Sequence, residues 1–310
     1  MKKLNILYST IDRNRHIIRY GEYFKQALLK RPDVNLYLLQ EESSIGRILT
    51  RFIPDIIIFD DFARNKKLHG LEKTSIPKGV IYWDIQKDQE KFRKFVVTQK
   101  IDLIFSFYRD AFRFFFPEFN RKFKWLPNHV NTEVFKDYGL KKEIDFLLAG
   151  ALSEKVYPLR TKIAREMKGV KGFKHLPHPG YRDFDPEAEK NNKIDAYFAR
   201  EINKAKIFFT DDSIYKYPVA KYFEVLACNT LLLAPGSREL KDLGFIDGKT
   251  FVEINADNYY EKALYYLKKE AERKAIALRG YQMVRERHST EVRAAQFIYC
   301  LKKFLAIKAV

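Results

Sequence analysis

The segment Lys221-Tyr222-Phe223-Glu224-Val225-Leu226-Ala227-Cys228-Asn229-Thr230-Leu231-Leu232-Leu233-Ala234 sets one carboxylate, Glu224, on an otherwise apolar helical stretch that runs straight into a strand-like run. A charge in such surroundings costs free energy unless a partner meets it. Two readings stand. Glu224 is a helix-dipole contact or surface ion pair, or it accepts the paired hydroxyls of a ribose at the carboxyl edge of a sheet. Other familiar chemistries are missing. Neither GxGxxG nor GxxxxGK[ST] occurs, which disfavours ordinary dinucleotide dehydrogenases and P-loop NTPases. GxSxG, HExxH and the kinase signature set are absent as well. The six histidines, His16, His69, His129, His175, His178 and His288, are scattered. His175 and His178 flank a proline with no carboxylate pair nearby, short of the three or four converging ligands that zinc needs. No metal is expected.

The elements that must hold these residues alternate along the chain. Strand-like runs fall at Leu4–Tyr8, Val34–Leu39, Ile56–Asp60, Gly79–Trp83 and Ile101–Phe107, then at Asp145–Ala149, Gly172–Leu176, Lys206–Thr210, Thr230–Ala234 and Thr250–Ile254. Helical patterns separate them, among them Pro158–Met167, Val219–Cys228, Glu270–Arg287 and a final one over Thr290–Ala306. Near-continuous apolar strands alternating with amphipathic helices predict parallel sheets covered on both faces. Two such series predict an α/β protein of two Rossmann-like, doubly wound domains. The polar stretch Phe135–Glu143 marks the join. The expected spans are 1–143, 144–289, and a helix over 290–310 that returns to the first domain. Ligands of such sheets sit outside the carboxyl ends of the strands, so a site is expected in the cleft where the domains face each other.

Composition agrees with a folded chain of this size. Of 310 residues, 46% are hydrophobic and 15% aromatic, ample for two cores. Uncharged apolar runs such as Ile56-Ile57-Ile58-Phe59 fall far short of the ~20 residues of a membrane span, and the start lacks the long apolar region of a secretory signal. A cytoplasmic location is expected. The net charge of +18 is spread over both halves. Such an excess suits nucleic acid, acidic headgroups or phosphorylated small molecules, and equally a lysine-rich surface kept for solubility. Cys228 and Cys300 have no CxxC neighbour, which argues against a disulfide framework.

The second half resembles the GT-B glycosyltransferases, and most nearly the spore-maturation CgeB-like glycosyltransferase group. Lys221–Ala227 is similar to their donor-site motif Phe-Glu-Ala-x-Ala-Cys-Gly. Around it, in order, stand Asp145-Phe146-Leu147-Leu148-Ala149-Gly150, Tyr157-Pro158-Leu159-Arg160, His178-Pro179-Gly180-Tyr181, Lys206-Ile207-Phe208-Phe209, Glu239–Gly244, Asp247-Gly248, His288-Ser289-Thr290 and Arg293. In the first half the likeness thins to Trp83-Asp84 and Trp125-Leu126-Pro127. There are departures: Lys216 stands where the wider family carries the first of two glutamates, Asn229 replaces a glycine, and Lys221 replaces an arginine. The resemblance implies a nucleoside-diphosphate sugar as donor substrate, no cofactor, and an acceptor bound by the first domain.

Each site residue then has a chemical reading and a plain one. Gly150 permits close backbone approach to a diphosphate, or makes an ordinary turn. Arg160 offers a fork matching phosphate oxygens, or is a solvated first-turn arginine. Lys221 neutralises a leaving diphosphate, or snorkels at the surface. His178 opens a base-reading loop, or a capped turn. Tyr215, with Tyr217, stacks on a base, or merely flanks a helix. Glu224 holds the ribose. Asp84, at the end of its strand, takes the acceptor hydroxyl's proton, or caps the helix that follows. The aromatic set Phe105, Phe107, Tyr108, Phe112, Phe114, Phe115, Phe116 and Phe119, interleaved with Arg109 and Arg113, reads first as core and second as a contact with an anionic membrane or the other domain. The leading expectation is a metal-independent glycosyltransferase. Its rivals are a basic nucleic-acid-binding protein, an inactive relative, and an epimerase-like one.

Overall fold

The computed structural model describes residues 3–62 and 68–308, so the first two and last two positions of the expected domain spans, and 63–67, lie outside it. Its strands are β1 (Leu4–Ser9), β2 (Val34–Leu39), β3 (Ser43–Ser44), β4 (Ile56–Phe59), β5 (Leu68–His69), β6 (Lys78–Tyr82), β7 (Leu103–Ser106), β8 (Phe123–Trp125), β9 (Ile144–Ala149), β10 (Phe173–Leu176), β11 (Ala205–Phe209), β12 (Leu231–Ala234) and β13 (Val252–Glu253). They form a six-stranded sheet ordered β2-β1-β4-β6-β7-β8, a five-stranded sheet ordered β10-β9-β11-β12-β13, and a small β3-β5 pair. Every ladder is parallel. The reason lies in the strands themselves: β4, β7 and β12 are buried at every position, as strands covered by helices on both faces must be.

The chain divides into two compact units, each built on one of the large sheets. The first comprises Met1–Asn14, Arg19–Pro127 and Glu291–Val310; the second comprises Arg15–Ile18 and Asn128–Thr290. The division thus falls at Pro127, upstream of the polar stretch Phe135–Glu143. That stretch is bonded into the second unit: Asn203 Nδ2 donates to the Lys136 carbonyl at 2.9 Å, its Oδ1 accepts from the Tyr138 amide at 2.7 Å, and Lys142 Nζ donates to Thr230 Oγ1 at 2.8 Å. Residues 15–18 belong to the second unit because they pair with 182–184, where the Phe184 amide donates to the Arg15 carbonyl and the Ile17 amide to that of Arg182.

In the first unit Ile6, Tyr8, Ile56, Ile58 and Phe105 pack with Phe24 and Leu28 and with Ala294, Phe297, Ile298 and Leu301 of the helix Thr290–Lys308. Phe297 meets Phe24 edge-on at 5.3 Å and Phe105 at 4.8 Å. The aromatic set beyond β7 is largely core: Phe105, Phe107, Phe112, Phe116 and Phe119 are buried, while Phe114 stands 79% exposed. In the second unit, the helix Glu270–His288 lies close behind the helix Ala220–Ala227. Gly280 permits this approach, since a Cβ there would fall 2.4 Å from the Thr250 carbonyl and 2.9 Å from Leu226. Among the described residues no helix is long and apolar enough to cross a membrane.

Phe297→Ala removes a fully buried ring from the first core and is expected to cost that unit about 3–5 kcal/mol. Both tryptophans, Trp83 and Trp125, lie in the first unit, so their fluorescence follows its unfolding. Its denaturant midpoint should fall sharply in the variant. An unchanged midpoint would show that the helix adds nothing to that core.

Candidate functional site

In the second sheet the winding reverses between β9 and β11, and it is at such a reversal, outside the carboxyl ends of the strands, that open parallel sheets bind ligands. Gly150 follows β9 there. Its φ of +120° is open only to glycine, and a Cβ would meet Arg160 Nη1 at 3.0 Å and Lys221 Cε at 3.6 Å. Gly150 is therefore the floor beneath two cationic side chains.

Arg160 sits in the first turn of the helix Pro158–Glu166 and is only 4% exposed, so it is no solvated arginine. Its backbone amide donates to Asp211 Oδ2 at 3.0 Å, Nη1 donates to the Ala151 carbonyl at 3.1 Å, and Nη2 to Thr210 Oγ1 at 3.5 Å. The guanidinium lies 4.0 Å over the Tyr157 ring, and Nε has no hydrogen-bond partner. Burial lowers its pKa. The Arg160 amide in this first turn is already taken by Asp211, while its guanidinium remains beside Gly150.

Lys221, the second residue of the helix Ala220–Ala227, has its pKa lowered by withdrawal of the ammonium from water; Arg160 adds to the shift and Glu224 opposes it. Its ammonium lies 5.6 Å from the Phe198 ring. His178 is pushed below the ordinary histidine range by burial, then by the charges of Lys221 and Arg160. Its Nδ1 accepts from the Gly180 amide at 3.0 Å, so the capped-turn reading and proximity to the cations both hold. Glu224 is 5% exposed and lies beyond the first turn of its helix, which removes the surface-pair and dipole readings. The structure thus brings Gly150, Arg160, His178, Lys221 and Glu224 together. Tyr215, on the loop leaving β11, is half-buried and stacked on Tyr217 at 5.2 Å.

Asp84 belongs to the other unit. It is 61% exposed and paired with Lys87 at 2.9 Å. It does not cap the next helix: Asp88 occupies that position, with φ +52° and no side-chain cap bond. The buried carboxylate near the end of β4 is Asp60, which accepts from Tyr8 Oη at 3.2 Å and Thr10 Oγ1 at 2.7 Å and lies 3.8 Å from Arg13. Among the described residues no group of three or more His, Cys, Asp or Glu side chains gathers as a metal site would need.

Sequence reasoning missed Asp211 and Asp212, although two carboxylates ending an apolar strand at a switch point are a readable signal. Asp211 holds the Arg160 amide and, through Oδ1, that of Ser213 at 3.1 Å. Asp212 is 1% exposed, its Oδ2 has no hydrogen-bond partner, and the Lys216 ammonium stands 3.6 Å away. Burial raises the Asp212 carboxyl to about 7, with Lys216 opposing and Asp211 adding. A carboxyl raised on folding binds its proton more tightly in the native state than in the unfolded one, so it drains stability as pH climbs from its unfolded value near 4 to about 7. Asp212→Asn escapes that loss. Its thermal midpoint should match the wild type near pH 4 and exceed it at pH 8, by on the order of 2–4 kcal/mol of stability. A constant difference across that range would refute the assignment.

The glycosyl transferase-like family matches residues 140–299, just over half of the chain. No curated protein matches by sequence. Solved structures share the fold at low identity. Sucrose-phosphate synthase of Thermosynechococcus elongatus superposes with a TM-score of 0.67 at 11% identity, over 98% of this chain and 100% of its own. A glycosyltransferase of Rickettsia africae follows at 0.64 and 11%, over 98% and 99%. Anabaena HepE, solved in complex with UDP and glucose, follows at 0.61 and 10%, over 97% and 100%. With two Rossmann-like units of this likeness, and with the match running through Gly150, Arg160, Lys221 and Glu224, the chain belongs to the glycosyl transferase-like family and is a glycosyltransferase of the GT-B fold.

Proposed function

We propose that the chain moves a sugar from a nucleoside-diphosphate sugar to a hydroxyl acceptor, without a metal or cofactor, and that it stands nearest the CgeB-like group. One observation carries this reading: Arg160 and Lys221 crowd their cationic side chains over Gly150, and the protonatable His178 ring stands within reach of both charges. Like charges gathered away from water cost free energy until an anion arrives. A diphosphate repays that cost, and the repayment grows as the bond from the anomeric carbon to the diphosphate oxygen breaks and charge builds on the leaving group. HepE, a neighbour of the same fold, was solved with UDP-glucose.

Glu224 accepts the ribose hydroxyls, and Tyr215 and the His178 loop face the base. The first unit holds the acceptor. Asp84 receives the acceptor's hydroxyl proton as its oxygen bonds the anomeric carbon; its exposure leaves it open to an incoming hydroxyl. A cytoplasmic place and a peripheral contact with anionic membrane complete the reading, the contact resting on Phe114, exposed in the helix Arg109–Phe115 beside Arg113.

A thermal-shift screen with UDP, GDP, ADP, CMP and dTDP identifies the nucleotide, since a ligand at ~100 times its Kd adds ~2.7 kcal/mol. Arg160→Ala and Lys221→Ala should weaken that diphosphate far more than its bare nucleoside at ~0.15 M salt, where distant charges are screened. Lys268→Ala and Lys269→Ala, at exposed positions, should change neither. Equal losses in all four would mean a diffuse basic field and favour nucleic acid.

Glu224→Gln should cost roughly 1.5–3 kcal/mol of nucleotide affinity by titration calorimetry, the range for hydrogen bonds to a charged group. Unchanged affinity would remove Glu224 from the site.

A further inference from the structure

Two buried polar atoms of opposite character lack partners at the end of β11: Arg160 Nε, a donor, and Asp212 Oδ2, an acceptor. Their residues are linked through Asp211, whose carboxylate takes the Arg160 amide and whose peptide bond leads into Asp212. An acceptor left unmet in a protein interior carries its full desolvation penalty, and such groups call for an explanation. Lys216 supplies only part of one. Its ammonium is 3.6 Å from Asp212 Oδ2, beyond hydrogen-bond distance, on a side chain 69% exposed. The loop is closed by the Tyr217 amide, which donates to the Asp212 carbonyl at 2.7 Å. Within it, Ser213 and Lys216 both hold left-handed φ, +64° and +57°, which costs residues other than glycine. Lys216 is therefore presented over the carboxylate by a constrained backbone, through a pairing that is cheap to undo.

We propose that Asp212 is a sugar-binding residue of the donor site, accepting a hydroxyl of the transferred sugar, and that Lys216 covers this acceptor until the sugar displaces it. The inference rests on the donor reading given above. It goes further by assigning the ring hydroxyl to one side chain, distinct from Glu224, which serves the ribose. A ligand with phosphate oxygens at one end and hydroxyl donors at the other would satisfy both orphaned atoms. A bare nucleotide would satisfy only the first.

The test compares each nucleoside diphosphate with its sugar conjugate: UDP with UDP-glucose, GDP with GDP-mannose, ADP with ADP-glucose and dTDP with dTDP-glucose. The pair that the wild type binds most tightly is then titrated against variants. Asp212→Ala should bind the diphosphate as the wild type does, while the affinity advantage of the conjugate falls about tenfold. Asp212→Asn keeps an acceptor oxygen and should lose less. Lys216→Met should strengthen the conjugate and leave the diphosphate unchanged. An undiminished advantage in Asp212→Ala overturns the inference, as does an equal loss of both ligands in both Asp212 variants, which would make the residue structural. If no pair binds the wild type, the donor reading itself fails, and this inference with it.

Discussion

Withdrawing the Arg160 guanidinium from water is the constraint on which the second unit's chemistry depends. A buried cation is tolerated only where neighbours meet it, and here each neighbour is itself drawn from a different element. The Ala151 carbonyl comes from the turn after β9, Thr210 Oγ1 from the end of β11, and the Tyr157 ring from the residue before the helix. Gly150 leaves the space in which the guanidinium lies. Held this way, the arginine cannot swing out to solvent, and its charge adds to the lowering that burial already imposes on Lys221 and His178. The site is preorganised in the sense that matters for catalysis: the positive charge stands in place before the anion comes.

That preorganisation depends on the parallel sheet. Strands β9 and β11 are adjacent, with Phe146 opposite Ile207 and Leu148 opposite Phe209, so their ends deliver Gly150 and Thr210 side by side. The apolar runs within them serve the core, and the first polar residues after them serve the site. Glu224 follows the same logic from the helix that precedes β12. Tyr222, Phe223, Val225 and Leu226 are buried around it, and Gly280 lets the long helix press in behind.

The strands were legible because all-buried parallel strands read as unbroken apolar runs, and most ends fell within a residue or two of the expected ones. β8 escaped because Phe123-Lys124-Trp125 is short and interrupted by a lysine. The helix Pro186–Asn191 escaped for the opposite reason, having no buried residue to set a period. Of the site, residue types at loop positions were readable: a glycine after a strand, an arginine in a first turn, a carboxylate on an apolar helix. Whether Arg160 and Lys221 faced water was not, because burial is decided by distant segments. Asp211 and Asp212 could have been singled out as carboxylates ending an apolar strand, but that Asp212 Oδ2 lacks a hydrogen-bond partner is a property of the folded neighbourhood and not of the string Thr210-Asp211-Asp212. The boundary of the second unit moved upstream because polar residues at 128–143 spend their side chains and amides on bonds within it.

The helix beginning at Thr290 carries one more consequence, for the order in which the protein is made. Domains on the ribosome ordinarily fold in the sequence in which they emerge. Here the first unit cannot close its core until Ala294, Phe297, Ile298 and Leu301 have been synthesised, by which time every segment of the second unit is already out. The unit that begins first therefore finishes last. Until then the apolar face formed by Ile6, Tyr8, Phe24 and Phe105 waits uncovered for the whole length of the second unit's synthesis, and a nascent chain arrested between Asn128 and Thr290 presents that face to chaperones.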